Sequence, residues 1–114
     1  LHIQVPENPN KGEQASTGLA FSVAFVSQSL RLPVPTSTAF VGEVMLNGQV
    51  SRVEGILEKV LALKREGMGT LVLPKQNLND VVQLEETIKQ GVEFVFVKSL
   101  DQTVDWLRRP ARAS

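Results

Sequence analysis

The sequence predicts an α/β fold in which helices pack on a mixed sheet. Residues 15–30 are apolar or small on every side, as in a buried helix. Asn47-Gly48 is a preferred pair for a tight β-hairpin turn. Residues 92–97, VEFVFV, have the β-branched and aromatic composition of a strand. Strands and helices that alternate along one short chain indicate a layered α/β architecture.

The N-terminal part of the chain contains a strand, a loop and a helix. Residues 1–5 alternate as a strand does, and residues 6–12 form a loop by their Pro, Asn and Gly content. The helix over residues 15–30 then ends before Pro33 and Pro35. This order places a buried helix directly after an exposed loop.

The middle of the chain contains a hairpin followed by a helix. Residues 39–46 and 49–53 flank the Asn47-Gly48 pair, which predicts two antiparallel strands joined by a two-residue type I′ turn. Residues 55–66 predict a helix because the apolar positions recur at helical spacing and Gly67 can end it.

The C-terminal part predicts two strands and two helices. Residues 70–73 form a short strand, and Asn79 or Asp80 caps a helix that runs to about residue 90. The strand over residues 92–97 and a short helix over residues 101–108 complete the fold.

Composition narrows the classes of function. The chain has 114 residues, enough for one domain, and its 12 basic and 12 acidic side chains leave no net charge. We therefore expect neither nucleic acid nor a membrane as a partner. Cysteine is absent and His2 is the only histidine, so a cysteine nucleophile, a histidine triad or a bound metal is not expected.

The chain opens on Leu1 rather than Met, so we expect it to be a piece of a longer protein.

Ser16 and Lys59 are the candidate chemical residues. The sequence places Ser16 in the first turn of the buried helix, where free N–H groups favour developing negative charge, although helix capping explains the same residue type. Lys59 lies roughly 60° from the line through Ile56 and Val60, at the edge of the apolar stripe. Partial burial there favours the neutral amine that a general base needs, whereas an outward-pointing lysine would do nothing.

Four segments together resemble the proteolytic domain of Lon proteases in order and spacing. They are residues 13–18 (EQASTG), 40–50 (FVGEVMLNGQV), 53–62 (VEGILEKVLA) and 70–77 (TLVLPKQN). The resemblance covers residues 1 to about 104 of this chain, and these residues do not include a counterpart of the N-terminal part of that domain. It implies a Lon-like proteolytic domain over residues 1–107 and a C-terminal tail over residues 108–114.

The resemblance assigns roles to particular residues. The serine of the family's D-G-P-S-A-G motif falls on Ser16, and the second lysine of G-G-[IL]-K-E-K falls on Lys59, with a matching interval between them. Ser16 would then be the nucleophile and Lys59 its general base. Glu13 would replace the acid beside the active site, and Thr17 the small residue after the serine.

Several positions depart from the family motifs. Val41 stands where the family has the threonine of T-G-E, whose hydroxyl helps to hold the lysine, and valine cannot make that hydrogen bond. Glu54 replaces a glycine, and a carboxylate near Lys59 would hold the amine as an ammonium ion. The other departures are Gln14, Ala15 and Leu57.

The resemblance implies a serine endopeptidase with a Ser-Lys dyad, the proteolytic part of an ATP-dependent protease. Its partners would be unfolded protein or peptide substrates, an AAA+ ATPase module and further copies of itself in a hexameric ring. ATP would act only through that module, because the chain has no G-x-x-x-x-G-K-[ST] motif. We expect an intracellular protein of the cytoplasm or an organelle matrix. The alternative is an inactive Lon-type domain that serves assembly or protein interaction.

Overall fold

The fold is a three-stranded parallel sheet with helices on both faces and a short antiparallel hairpin beside it. The structure is a computed structural model that describes the backbone of residues 11–109 and the side chains of residues 18–109. The predicted strand over residues 1–5 and the end of the predicted tail lie outside the described residues. The α/β fold class is confirmed, with parallel and antiparallel pairing in separate sheets.

The elements follow one another with short connections. In chain order they are α1 (Lys11–Leu30), β1 (Thr38–Phe40), β2 (Glu43–Val44), β3 (Val50–Ser51), α2 (Ile56–Arg65), β4 (Thr70–Pro74), α3 (Leu78–Val82), α4 (Glu86–Lys89), β5 (Glu93–Val97) and α5 (Leu100–Arg108). A single 3₁₀ turn, Lys75–Asn77, links β4 to α3.

Strand β4 lies between β1 and β5, and its side chains alternate between two buried clusters. Leu71 and Leu73 point to the cluster formed with α2 and α3, while Val72 points to the cluster formed with α1 and α5. Successive strand residues face opposite sides of a sheet, so a central strand covered by helices is apolar throughout. The edge-on contact of Phe40 with Trp106, at 6.1 Å between ring centroids, packs α5 against β1.

The hairpin is shorter than predicted, and its turn differs. Residues 39 and 40 belong to β1 and pair with β4, which leaves only β2 and β3 as the antiparallel pair. Gly48 N–H donates to Met45 O at 2.8 Å, and Gly48 has φ +88° whereas Asn47 has no positive φ. The predicted type I′ turn is therefore wrong, because that turn needs a positive φ at both central residues. Asn47 instead accepts a hydrogen bond from Gln49 N–H at 3.0 Å.

Two helix predictions also need correction. The helix predicted to run to residue 90 is divided into α3 and α4. Neither Asn79 nor Asp80 caps it, because α3 already begins at Leu78. Helix α1 begins at Lys11, so Ser16 is its sixth residue and does not lie in the first turn. One glycine costs a helix only about 1 kcal/mol, so Gly12 did not prevent the extension. No helix within residues 11–109 has the length and hydropathy needed to span a bilayer.

Gly42 lies where β1, the hairpin and α1 meet. It has φ +146°, and a Cβ placed there would lie 2.7 Å from Val50 Cγ1 and 3.3 Å from Pro74 Cγ. Its carbonyl accepts a hydrogen bond from Leu19 N–H at 2.8 Å. Any side chain at this position would push the hairpin away from the sheet, so the chain needs glycine here.

Replacement of Gly42 by alanine should destabilise the protein more than the same change at Gly48. Both glycines have positive φ, but a Cβ at Gly48 meets no atom within 4 Å. The difference between Gly42→Ala and Gly48→Ala therefore measures the clash with Val50 together with the greater strain of a side chain at φ +146° than at φ +88°. It should amount to about 1–3 kcal/mol of unfolding free energy. Urea denaturation of both variants measures this difference. Equal losses of unfolding free energy in the two variants would show that the chain is not tightly packed around Gly42.

Candidate active site

The segment from Val41 to Val44 lies between the two helices that carry Ser16 and Lys59. On one side, Leu19 of α1 donates its backbone N–H to Gly42 O, and a Cβ at Gly18 would lie 3.3 Å from the same oxygen. Ser16 is one helical turn before Leu19. The backbones of α1 and the Gly42 segment are therefore in direct contact close to the candidate nucleophile.

On the other side of this segment, Val41 packs toward α2. Its backbone N–H donates to Val72 O at 2.9 Å, which continues the β1–β4 pairing by one residue. Its side chain is buried in the cluster that contains Ile56 and Val60 of α2. An apolar side chain thus occupies the place beside the helix of Lys59 where the resemblance to Lon proteases implies a hydroxyl.

Lys59 is the fourth residue of α2 and is half-buried. Its backbone N–H donates to Gly55 O at 3.1 Å, and the next residue, Val60, is fully buried. Within residues 18–109, no acidic side chain forms an ion pair with Lys59. This position agrees with the predicted edge of the apolar stripe.

Glu54 does not pair with Lys59 in the structure. Its side chain is 90% exposed and forms an ion pair with Arg52 at 3.5 Å. Exposed pairs of this kind contribute about 0–1 kcal/mol, so the contact leaves Glu54 largely solvated. The sequence left open whether Glu54 faces Lys59, and in the structure the Glu54 carboxylate pairs with Arg52 instead.

Three predicted site residues lie where only the backbone is described. Glu13, Ser16 and Thr17 all belong to α1. The structure brings α1 and α2 to the same Gly42 segment, but it does not describe the side chains of these three residues. Contact between the Ser16 hydroxyl and the Lys59 amine thus stays a prediction.

Sequence reasoning missed Asn77, a fully buried polar residue that holds the segment before α2. Its Oδ1 accepts from Val53 N–H at 3.1 Å, and its Nδ2 donates to Val53 O at 2.9 Å. The same Nδ2 donates to Asp80 Oδ2 at 2.7 Å, and Asp80 Oδ1 lies 3.4 Å from Arg52 Nη2. Asparagine before a helix usually indicates a cap, and its distant partner is not visible in the sequence.

This network stabilises the ionised form of Asp80. The hydrogen bond from Asn77 lowers the pKa of Asp80, and Arg52 adds a further hydrogen bond and its charge, against a smaller opposing effect of burial. A carboxyl group whose pKa is lowered on folding contributes stability above its ordinary pKa, and that contribution is lost as the pH falls through the lowered value.

Comparison with known proteins places the chain among proteolytic domains. The family model described as the Lon protease (S16) C-terminal proteolytic domain matches residues 1–108. The mitochondrial Lon protease homolog of Candida glabrata is 40% identical over 93 residues, which cover 82% of this chain and 9% of that protein. The Lon protease of Clostridioides difficile is 33% identical and Lon protease 2 of Thermus thermophilus 37% identical, each over 105 residues, or 92% of this chain and 13% of the relative.

These matches show that the chain belongs to the Lon protease family and corresponds to its C-terminal proteolytic domain. The chain spans about a tenth of the length of these relatives. The division between residues 107 and 108 stays a prediction.

Replacement of Asp80 by asparagine should destabilise the protein at neutral pH more than in acid. Above about pH 4 the wild-type Asp80 carboxylate is ionised in both the folded and the unfolded protein. In the folded protein it accepts a hydrogen bond from Asn77 and contacts Arg52. As the pH falls through the lowered pKa, the wild type loses this advantage over Asp80→Asn. Urea denaturation at pH 7 and at pH 3 measures the change, with Asp105→Asn as the exposed control. A stability difference that does not change with pH would contradict the network.

Proposed function

We propose that this chain is the proteolytic part of a Lon-like ATP-dependent protease and that Ser16 and Lys59 form its catalytic dyad. The observation that carries the proposal is the convergence of α1 and α2 on the Val41–Val44 segment, with Gly42 O bound to Leu19 N–H and Val41 packed with Ile56 and Val60. Membership of the Lon family supports the assignment of roles to the two residues.

The mechanism needs one nucleophile and one base. Ser16 Oγ attacks the carbonyl carbon of the scissile peptide bond while its proton passes to the neutral Lys59 amine. The resulting Lys59 ammonium then donates that proton to the leaving amine, and water hydrolyses the acyl-enzyme. The half-burial of Lys59 and its lack of an acidic partner within residues 18–109 suit this base role, because nothing there holds it as an ion pair.

The oxyanion requires N–H donors that do not bond within a helix. We propose that they come from residues 14–17, next to the nucleophile. A regular helix from Lys11 would use those groups internally, so this turn must open. The Leu19 N–H, which donates to Gly42 O outside α1, is a backbone donor in the same stretch that is available to an acceptor outside the helix.

The wider assembly follows from the family relationship and is likewise proposed. Unfolded protein or peptides are the substrates, an AAA+ ATPase module in the same or another chain supplies them, and the domains form a ring, a hexamer by resemblance. ATP acts through that module and not through this chain. The mitochondrial and bacterial Lon relatives support a place in an organelle matrix or the cytoplasm.

A second candidate function is supported by one specific observation. Val41 has no hydroxyl and is packed into the core beside α2, so it cannot orient Lys59. A Lon-type domain with this substitution could serve assembly or protein interaction without hydrolysis. An assay of peptide hydrolysis by the protein expressed from its natural gene distinguishes the two functions, because only the first requires turnover.

The dyad predicts that removal of either residue abolishes turnover. Lys59→Ala should lower kcat by about 10²–10⁴-fold, because the general base is lost, and Ser16→Ala should leave only background. Lys59→Arg is the matched control for charge and length, and it should be equally inactive because a guanidinium does not deprotonate. Hydrolysis of a fluorogenic peptide and covalent capture of a peptidyl boronate measure both effects.

The outcomes of this experiment are distinct. Turnover that survives Ser16→Ala would remove the dyad. A wild type that assembles but neither cleaves peptide nor captures the boronate would establish the non-catalytic function.

Val41→Thr should raise the turnover of an active dyad. The substitution nearly conserves shape and restores the hydroxyl that the family uses to hold the lysine, so kcat should rise several-fold, within the range typical of a better-oriented base. The buried hydroxyl should cost about 1–3 kcal/mol of unfolding free energy if Lys59 does not accept or donate a hydrogen bond to it. Peptide hydrolysis and urea denaturation of the same variant test both parts, with the non-polar Val41→Ile as the control. A destabilised Val41→Thr without faster turnover would show that Lys59 does not face position 41.

A further inference from the structure

The first turn of α2, which carries Lys59, has no cap of its own. The residue before the helix is Gly55, in the left-handed region at φ 72°, and no side chain caps the helix N-terminus. Uncapped first turns fray easily, and glycine leaves the preceding backbone free to move. Since the Lys59 N–H makes its helical bond to Gly55 O, the position of Lys59 depends on this turn.

We propose that Asn77 is the positioning residue that fixes this turn and with it Lys59. Its amide holds Val53 by both backbone groups, at 3.1 Å and 2.9 Å, two residues before Gly55. Hydrogen bonds to both groups of one residue set position and direction, whereas the burial of Ile56 and Val60 is non-directional. The clamp therefore determines where α2 begins.

The chemistry of the clamp requires an amide. Asn77 Nδ2 uses one hydrogen for Val53 O and the other for Asp80 Oδ2, and its Oδ1 accepts from Val53 N–H. A carboxylate can accept but not donate, and a hydroxyl has a single hydrogen. Asp80 holds the amide in the orientation that Val53 needs, and Arg52 flanks Asp80 at 3.4 Å.

A control on the surface is present at the other end of the same helix. Lys64 Nζ donates to Thr87 O at 3.1 Å and to Ile88 O at 3.0 Å, which ties the C-terminal half of α2 to α4. Lys64→Met removes these two bonds and leaves Asn77 in place. Asn77→Asp removes the donors of the clamp but keeps the acceptor for Val53 N–H. Asp80→Ala is a milder second variant that removes the third bond of the clamp together with the contact between Asp80 and Arg52.

Hydrogen exchange measured by mass spectrometry on the protein expressed from its natural gene tests the clamp. In Asn77→Asp, amides of residues 59–61, the first in α2 whose N–H groups make helical hydrogen bonds, should exchange about tenfold faster, while those of residues 62–66 stay within twofold. Asp80→Ala should give a smaller change in the same direction. Lys64→Met, which removes two exposed hydrogen bonds, should leave the exchange of residues 59–61 within twofold. The proposal is overturned if the folded variants speed exchange equally at both ends of α2, or if residues 59–61 keep wild-type exchange in both Asn77→Asp and Asp80→Ala.

A kinetic comparison tests the consequence for catalysis, which rests on the proposed dyad. At a temperature where both variants remain folded, Asn77→Asp should lower kcat for a fluorogenic peptide about tenfold with KM unchanged, since a displaced base affects the chemical step. Lys64→Met should keep kcat within about twofold. Equal losses in the two variants would overturn the positioning role. A wild type without turnover would reject the proposed function, and the exchange pattern would then decide the clamp alone.

Discussion

The close crossing at Gly42 is the constraint on which the rest of the structure depends. There the chain leaves the parallel sheet after β1, passes α1 and enters the hairpin. A Cβ added to Gly42 would lie 2.7 Å from Val50 Cγ1. The hydrogen bond from Leu19 N–H ties α1 to the same peptide. Because glycine alone permits this approach at φ +146°, one residue sets the distance between the first helix, the sheet and the hairpin.

The two buried clusters extend this constraint to the second helix. Consecutive residues at the end of β1 divide between them, since Phe40 faces α1 and α5 while Val41 faces α2. The period of two in a strand makes this division unavoidable. The segment that contacts the helix of Ser16 therefore also forms part of the surface on which α2, the helix of Lys59, is packed. Packing and the candidate chemistry use the same few residues, so a change at Val41 affects both.

Hydrogen bonds from polar side chains fix the position of helix α2 more closely than apolar packing alone. Within the described side chains, no buried nitrogen or oxygen lacks a hydrogen-bond partner. Loss of one partner of such a buried bond costs about 1–3 kcal/mol. Asn77 meets this requirement for Val53, whereas the exposed Lys64 adds hydrogen bonds at the surface to the carbonyls of Thr87 and Ile88 in α4. Helix α2 is consequently held at both ends by side chains from outside its apolar face.

The sequence by itself determined the α/β class, the apolar face of α2 and the family, because periodicity and motif spacing are local properties. It also placed Lys59 correctly at the edge of an apolar face. The prediction that α1 is buried on every side is wrong, because Phe21 and Phe25 are 46% and 72% exposed and only the face with Leu19 and Val23 packs on the sheet. Only the tertiary structure decided that residues 39 and 40 pair with β4, that Gly48 rather than the Asn47-Gly48 pair carries the positive φ, and that Asn77 holds Val53. Each of these depends on a partner distant in the chain or on the geometry of a crossing. A local pattern contains no information on such partners, since the residue types involved also fit an ordinary hairpin, turn or cap.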